Sequence, residues 1–332
     1  MSYGAQVKFG IARQTAAGSG GAATAAGSFH HIPLVSEDVG LEKDEVISAN
    51  LTGRFEQGAV YDGVNRVAGT IEFEPTPKAL GAILTAMCNT PSSVSSGSLR
   101  TLSFLPQATD YSATLIQQPF TVYKQFTDAQ SAEHYFDCQF GQLELTFSQG
   151  QLLRGRATVA GGSRVATGIG SLALPLDTND LSLGMLWDAT SISYGGAGVG
   201  IYSDVTISLN ESIEPVYTLN GTLAPYKFTR SGFREVTVNG TMYFADRAVL
   251  NDFVAGTQKR LIVHAQARKA EIQSGYYASL TVDVPQMKIT QFKPGVSGPG
   301  EVSVNFSARG VLDPSSAYSI KFILTNTYGA SY

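Results

Sequence analysis

The chain states one pattern twice. Near Gly69 it reads Val67-Ala68-Gly69-Thr70-Ile71-Glu72-Phe73, followed by Lys78-Ala79-Leu80-Gly81-Ala82-Ile83-Leu84. Near Gly240 it reads Val238-Asn239-Gly240-Thr241-Met242-Tyr243-Phe244, followed by Arg247-Ala248-Val249-Leu250-Asn251-Asp252-Phe253. In both copies a Gly-Thr-x-x-Phe strand passes through a short turn into an amphipathic helix. Self-similarity on this scale constrains the fold more than any single residue does.

The correspondence extends to either side. Upstream, Ile47 to Leu51 answers to Val205 to Leu209; downstream, Leu143 to Phe147, a turn and Leu152 to Val159 answer to Met287 to Phe292, a turn and Val302 to Ala308. The order strand, loop, strand, helix and late hairpin is therefore expected twice, with a longer insertion before the first hairpin. At 332 residues the chain accommodates two units of roughly 150 residues, each large enough for its own core. The boundaries expected are a flexible arm over 1–28, a first unit over 29–165, a linker over 166–183 and a second unit over 184–332. Residues 14–28 carry no periodic apolar face and are rich in Gly and Ala, which fits an arm.

Between these boundaries the apolar residues alternate with period two, as in Ile71 and Phe73, Leu143 and Leu145, or Val302, Val304 and Phe306. One helix per unit interrupts the strands. Pro77 suits a first helical position, with Ala79, Leu80, Ile83, Leu84 and Met87 on one face; Asp246 is the expected cap of the second helix and Gly256 its end. The fold class expected is mainly β with two short helices, arranged as two tandem β-sandwich or barrel units, each with a flanking α-helix.

Composition narrows the function classes. Only 15% of residues are charged while Gly numbers 35, and a surface so poor in charge fits either extensive burial against copies of the same chain or simply a Gly- and Thr-rich β protein. A net charge of -4 argues against a sequence-independent DNA binder, which needs a basic stripe to displace counterions. The cysteines Cys88 and Cys138 make no disulfide framework, so synthesis in a reducing cytoplasm is expected. Met1 to Gly10 lacks a signal-peptide pattern, and no apolar run approaches the ~18 residues of a membrane span.

Catalytic constellations are hard to find. His30, His31, His134 and His264 fall in no metal-ligand spacing, and adjacent strand residues such as His30 and His31 point to opposite faces. Gly168-Ile169-Gly170 and Gly196-Ala197-Gly198 lead into no credible helix for a phosphate. Glu72 and Glu74 share a strand face, but no second acid of distinct environment completes a glycosidase pair. No catalytic residue, cofactor or metal site is expected. The aromatic and basic residues of Gly53 to Arg66 and of Tyr226 to Arg234 read instead as protein contact loops, occupying like positions in the two copies.

The residues Leu34-Val35-Ser36-Glu37-Asp38 leading to Ile47-Ser48-Ala49-Asn50-Leu51-Thr52-Gly53, the Gly69 segment with its helix, and Val236 to Phe253 resemble the tail tube proteins of long-tailed bacteriophages. The group resembled carries two tail-tube units in one chain, and the likeness runs from about Phe29 to Asn326. It implies a structural, non-enzymatic protein of the virion tail, assembled in the host cytoplasm. Such a protein stacks as rings into a hollow tube through which genomic DNA passes without specific binding. Two units per chain imply a trimeric, pseudo-hexameric ring, with tape measure, tail tip and tail terminator proteins as further partners. Inter-ring contacts are expected at Arg54, Phe55, Tyr61, Tyr226, Phe228, Arg230 and Phe233. Glu72, Glu74 and Glu144 alternate with buried strand residues and are the acidic candidates for the lumen. The alternatives are another virion component, such as a baseplate, terminator or capsid protein, and a β-sandwich binding module or enzyme.

Overall fold

The structure is a computed structural model that describes residues 7–18, 29–50, 56, 59–88, 91–126, 132–164, 190–198, 201–244, 247–295 and 301–328. The first half contains β1 (Lys8–Arg13), β2 (His30–Ile32), β3 (Leu34–Glu37), β4 (Gly40–Ile47), β5 (Val60–Phe73), α1 (Pro77–Met87), β6 (Ser92–Ser96), β7 (Leu99–Phe104), β8 (Phe120–Gln125), β9 (Ala132–Ser148), β10 (Arg154–Gly161) and β11 (Ser163–Arg164). The second half contains β12 (Thr190–Tyr194), β13 (Ala197–Gly198), β14 (Tyr202–Asn210), β15 (Ile213–Val216), β16 (Lys227–Arg230), β17 (Glu235–Tyr243), α2 (Ala248–Ala255), β18 (Gln258–Gln273), β19 (Tyr276–Gly295), β20 (Ser303–Val311) and β21 (Lys321–Asn326). The chain is mainly β with two helices, and the expected linker over 166–183 lies outside the described residues.

Both halves share one strand order. In the first, antiparallel ladders run β1–β8–β9–β10–β5–β4. In the second they run β12–β18–β19–β20–β17–β14. A helix follows β5 in one and β17 in the other. The late hairpins β9–β10 and β19–β20 hold like places in the two halves, but their register differs from the expectation: counted from Gly69 and Gly240, the counterpart of Gln142 is Lys293, so Leu143 to Phe147 do not answer to Met287 to Phe292.

The upstream correspondence differs from the expectation. Val205 does not match Ile47; it pairs with Gly240 on β17, and the residue beside the equivalent Gly69 is Val39. The physical reason is close backbone approach, which only glycine permits. A Cβ on Gly69 would stand 2.5 Å from the Val39 Cα, and one on Gly240 would stand 2.4 Å from the Asp204 carbonyl oxygen and 3.2 Å from the Val205 Cα. The repeated unit is thus Asp38-Val39 against Gly69-Thr70 and Asp204-Val205 against Gly240-Thr241.

The expected arm over 1–28 does not hold at its start. Lys8–Arg13 forms a strand between β8 and β2, with Phe9, Ile11 and Ala12 buried, because the run Phe9 to Ala12 has no polar side chain and can be covered on both faces. Gln14 continues this anchoring: its side-chain amide nitrogen donates to Asp137 at 3.1 Å, and its amide oxygen accepts from the Asp137 backbone nitrogen at 2.6 Å. Residues 19–28 lie outside the described residues.

The helices are unequal. Thr76 caps α1 by accepting from the Ala79 nitrogen at 3.2 Å, and Pro77 opens it. Nine of its eleven residues are buried, since α1 packs against β2 and β9 of its own half and against β21 of the other. Burial of each large aliphatic side chain there contributes about 1.5–3 kcal/mol. In α2 only Val249 is buried, while Leu250 and Phe253 are half-buried. Its N-cap is Arg247 without a side-chain cap bond; the expected cap, Asp246, lies outside the described residues. Gly256 ends α2 in the left-handed conformation, at φ 65°.

The two halves join edge to edge. β14 pairs with the C-terminal part of β9, from Asp204 opposite Ser148 to Asn210 opposite Gln142. β21 pairs on one side with β19 and on the other with β7, which the first half contributes. Beside the first joint lies a buried charge cluster. Glu211 is fully buried and takes ion pairs from Arg230 and, at 2.7 Å, from Arg234. Arg234 also donates to the Gln107 carbonyl at 2.6 Å, so the cluster ties second-half residues to the first half.

Candidate functional site

The β9–β14 joint makes one antiparallel sheet in the order β5–β10–β9–β14–β17–β20–β19. Directly opposed residues share a face, so register alone sorts the side chains into rows. One row reads Ile71, Ala157, Leu143, Leu209, Val236, Gly310 and Met287; the next on that face reads Gly155, Leu145, Ile207, Val238, Ala308 and Ile289. Apart from Gly310 these residues are buried, and their face covers the core.

The other face is polar along its whole length. One row reads Glu72, Arg156, Glu144, Ser208, Thr237, Arg309 and Lys288. Another reads Arg154, Thr146, Thr206, Asn239, Ser307 and Gln291. Across the joint, the Thr146 and Thr206 hydroxyls lie 3.2 Å apart, and the Gln142 amide nitrogen donates to the Ser208 hydroxyl at 2.8 Å. In the first half the charges alternate in sign, Arg156 standing between Glu72 and Glu144, 4.0 Å from the Glu72 carboxylate; in the second, Arg309 lies opposite Lys288 and 3.4 Å from Glu235. The face presents hydroxyls, amides and neighbouring opposite charges, with no basic stripe among the described residues.

Glu72 and Glu144 thus lie on this face, while Glu74 follows the end of β5 and meets Arg154 at 3.6 Å. These three acidic candidates do not stand alone: Arg154 and Arg156 lie beside Glu74 and Glu72. Arg154 and Arg156 alternate on β10 with Gly155 and Ala157, so the period-two pattern that turns the glutamates to this face turns the arginines there too.

The expected contact loops divide. Val60 to Arg66 is strand rather than loop, pairing with β4 from Val60 opposite Ile47 to Val67 opposite Leu41. This ribbon exposes apolar side chains on both faces: Tyr61 is 61% exposed, and Val46, Ile47 and Val60 are exposed as well. Tyr61 is among the residues expected as contacts; reasoning from loops missed Val46 and Ile47, whose adjacency to each other was the available signal. Arg54 and Phe55 lie outside the described residues. In the second half, the expected loop holds the hairpin β15–β16. Phe233 and Tyr226 are exposed there, at 94% and 52%. Phe228 is buried at 6% and its backbone nitrogen donates to the Thr114 carbonyl at 2.8 Å, so it packs within the chain. Arg230 is occupied by Glu211 and, at 3.3 Å, Asp110.

The groups that chemistry would use are arranged otherwise. Cys88 and Cys138 are buried, and desolvation pushes both thiols well above the ordinary range, which leaves no thiolate nucleophile there. His134 packs edge-on against Tyr123, with ring centroids 4.4 Å apart, and burial lowers its pKa to about 4. Among the described residues no group of three or more His, Cys, Asp or Glu is placed to hold a metal ion. Nor, among the described residues, is any helix long and apolar enough to cross a membrane.

Comparison with curated proteins found no match. The family model described as phage tail tube protein matches residues 4–310, a span that includes both strand repeats, both helices and the continuous sheet that joins them. The chain therefore belongs to the phage tail tube protein family.

Proposed function

We propose that this structural tail protein closes into rings of three chains, that the rings stack into a hollow tube, and that the polar face of the continuous sheet lines the channel. The observation that carries this reading is the β9–β14 ladder. It makes two like units into one uninterrupted sheet, apolar on the side of the core and polar on the other. Two such units per chain give six around a three-chain ring.

A channel for genomic DNA must hold water and must not bind phosphate. Hydroxyls and amides keep the wall hydrated, and carboxylates placed beside the arginines reduce the counterion release through which a cationic wall would hold DNA. The ribbon formed by β4 with the start of β5, together with the β15–β16 hairpin, projects apolar and aromatic side chains that a stacked ring would cover. Tape measure, tail tip and tail terminator proteins then meet the tube at its inside and ends, with assembly in the host cytoplasm before the tail joins the virion.

Negative-stain electron microscopy of the purified full chain tests the reading. Long hollow cylinders support it. Short rosettes or closed shells would favour a baseplate or capsid role, and a monodisperse monomer at every concentration would overturn it.

A further inference from the structure

We infer that the exposed edge of β4 in the first unit pairs, in antiparallel register, with the end of β19 in the second unit of another copy, Asp44 lying opposite Lys293. The inference rests on the ring reading and names the strands that close the ring. The template is within the chain. β8 covers one side of β9 as far as Cys138, and beyond the bulge at Gly141 β14 takes over that side. In the second unit β18 covers the same side of β19 as far as Lys288. Beyond it, among the described residues, no strand pairs with that side of Thr290–Gly295.

The strand that fits is defined by the repeat. Asp204-Val205 of β14 corresponds to Asp38-Val39, as their contacts with Gly240 and Gly69 show, so β14 corresponds to the run from Asp38 into β4. Gln142 pairs with Thr158, which lies next to Val159 and its partner Gly69; Lys293 pairs with Asn305, next to Phe306 and its partner Gly240. Transferring the Gln142–Asn210 pair of the internal joint therefore puts Lys293 opposite Asp44, with Glu42 on its diagonal. Among the described residues β4 pairs only with β5, and its outer residues from Glu42 to Ile47 are exposed. Lys293 is exposed too, so the two edges meet with opposite charge.

A separate feature agrees. α1 lies on the side of the first unit where the second unit docks, against β21, and is buried nearly throughout. α2 is its counterpart beside β19, and Val254 is exposed there with Leu250 and Phe253 half-buried. The helix has the apolar surface of a joint whose second half comes from the neighbouring copy.

Disulfide trapping on assembled full-length chain tests the register. Residues directly opposed in an antiparallel pair have Cα atoms ~4.5–5.5 Å apart, within disulfide range, and native Cys88 and Cys138 are buried. The chain carrying Asp44→Cys and Lys293→Cys shifts, on oxidation, from monomer to a ladder of chain multiples. The pair Gln142→Cys and Asn210→Cys closes within one chain, and the slipped pair Val46→Cys and Lys293→Cys gives no ladder. As a second readout, Lys293→Glu reduces assembly and adding Asp44→Lys restores it. Tubes that form without the 44–293 ladder, or with equal trapping of the slipped pair, overturn the register and leave the tube reading intact. Failure of charge exchange to restore assembly also counts against the Asp44–Lys293 pair. A wild-type chain that makes neither rings nor tubes overturns both.

Discussion

Val39 lies so close beneath Gly69 that a Cβ on the glycine would stand 2.5 Å from the valine Cα. Gly240 has the same relation to Asp204 and Val205 in the second unit. Overpacking against backbone cannot relax by turning a side chain, so Gly69→Ala and Gly240→Ala are each expected to cost about 3 kcal/mol. Gly198→Ala, where an added Cβ meets nothing within 4 Å, is the control. Urea unfolding gives the comparison; equal midpoints for all three variants would refute the close-approach account.

Glu211 is a buried carboxylate between two half-buried arginines. Removing one member of a buried pair leaves uncompensated charge, which typically costs about 3–5 kcal/mol. Because both guanidinium groups retain some solvent contact, Glu211→Ala is expected at the lower end, roughly 3 kcal/mol. It also loosens the joint, since Arg234 holds the Gln107 carbonyl. A loss under 1 kcal/mol would mean that water satisfies the arginines.

Leu84 and Phe253 occupy like helices in unlike surroundings. Leu84 is fully buried, so Leu84→Asp is expected to cost several kcal/mol and to unfold the chain at moderate temperature. Phe253 is half-buried, so Phe253→Asp should lower subunit stability by about 1 kcal/mol while reducing tube yield much more. Thermal melts beside sedimentation separate the two effects. A Phe253→Asp chain that assembles normally would show that nothing covers α2.

Burial lowers the pKa of His134 to about 4, and burial with the nearby Lys78 charge does the same for His30. An unfolded histidine titrates near ~6.5, so between these values the unfolded chain binds more protons than the folded one. Stability is then complete above about pH 6.5 and falls as pH drops toward 4. His134→Phe is expected to flatten that slope while preserving the packing against Tyr123. Unfolding midpoints measured from pH 7 to 4.5 check this, and parallel curves for the two chains would contradict it.

The polar face is expected to tolerate change until it becomes cationic. Tubes carrying Asn239→Lys and Gln291→Lys, which share one row of the sheet, should retain duplex DNA at low salt and release it as salt rises. Filter binding across salt concentrations measures this. DNA affinity equal to that of wild type would place the row outside the channel.

Much of the architecture was legible before any fold was known. Alternation in segments such as Leu143 to Phe147 sorts a core face from a polar face because strand side chains alternate by geometry alone. Pro77 and Gly256 mark helix ends because they act within a few residues of themselves. The doubled Gly-Thr-x-x-Phe pattern announced the repeat for a similar reason: both copies need glycine where a neighbouring backbone passes close. Tertiary structure alone decided which backbone that is. Val39 rather than Ile47 is the partner, Arg156 comes between Glu72 and Glu144, Phe228 turns inward while Phe233 stays out, and β14 completes the sheet beside β9. Each of these depends on register between strands tens of residues apart, and such register is set by the packing of the whole sheet rather than by local propensity.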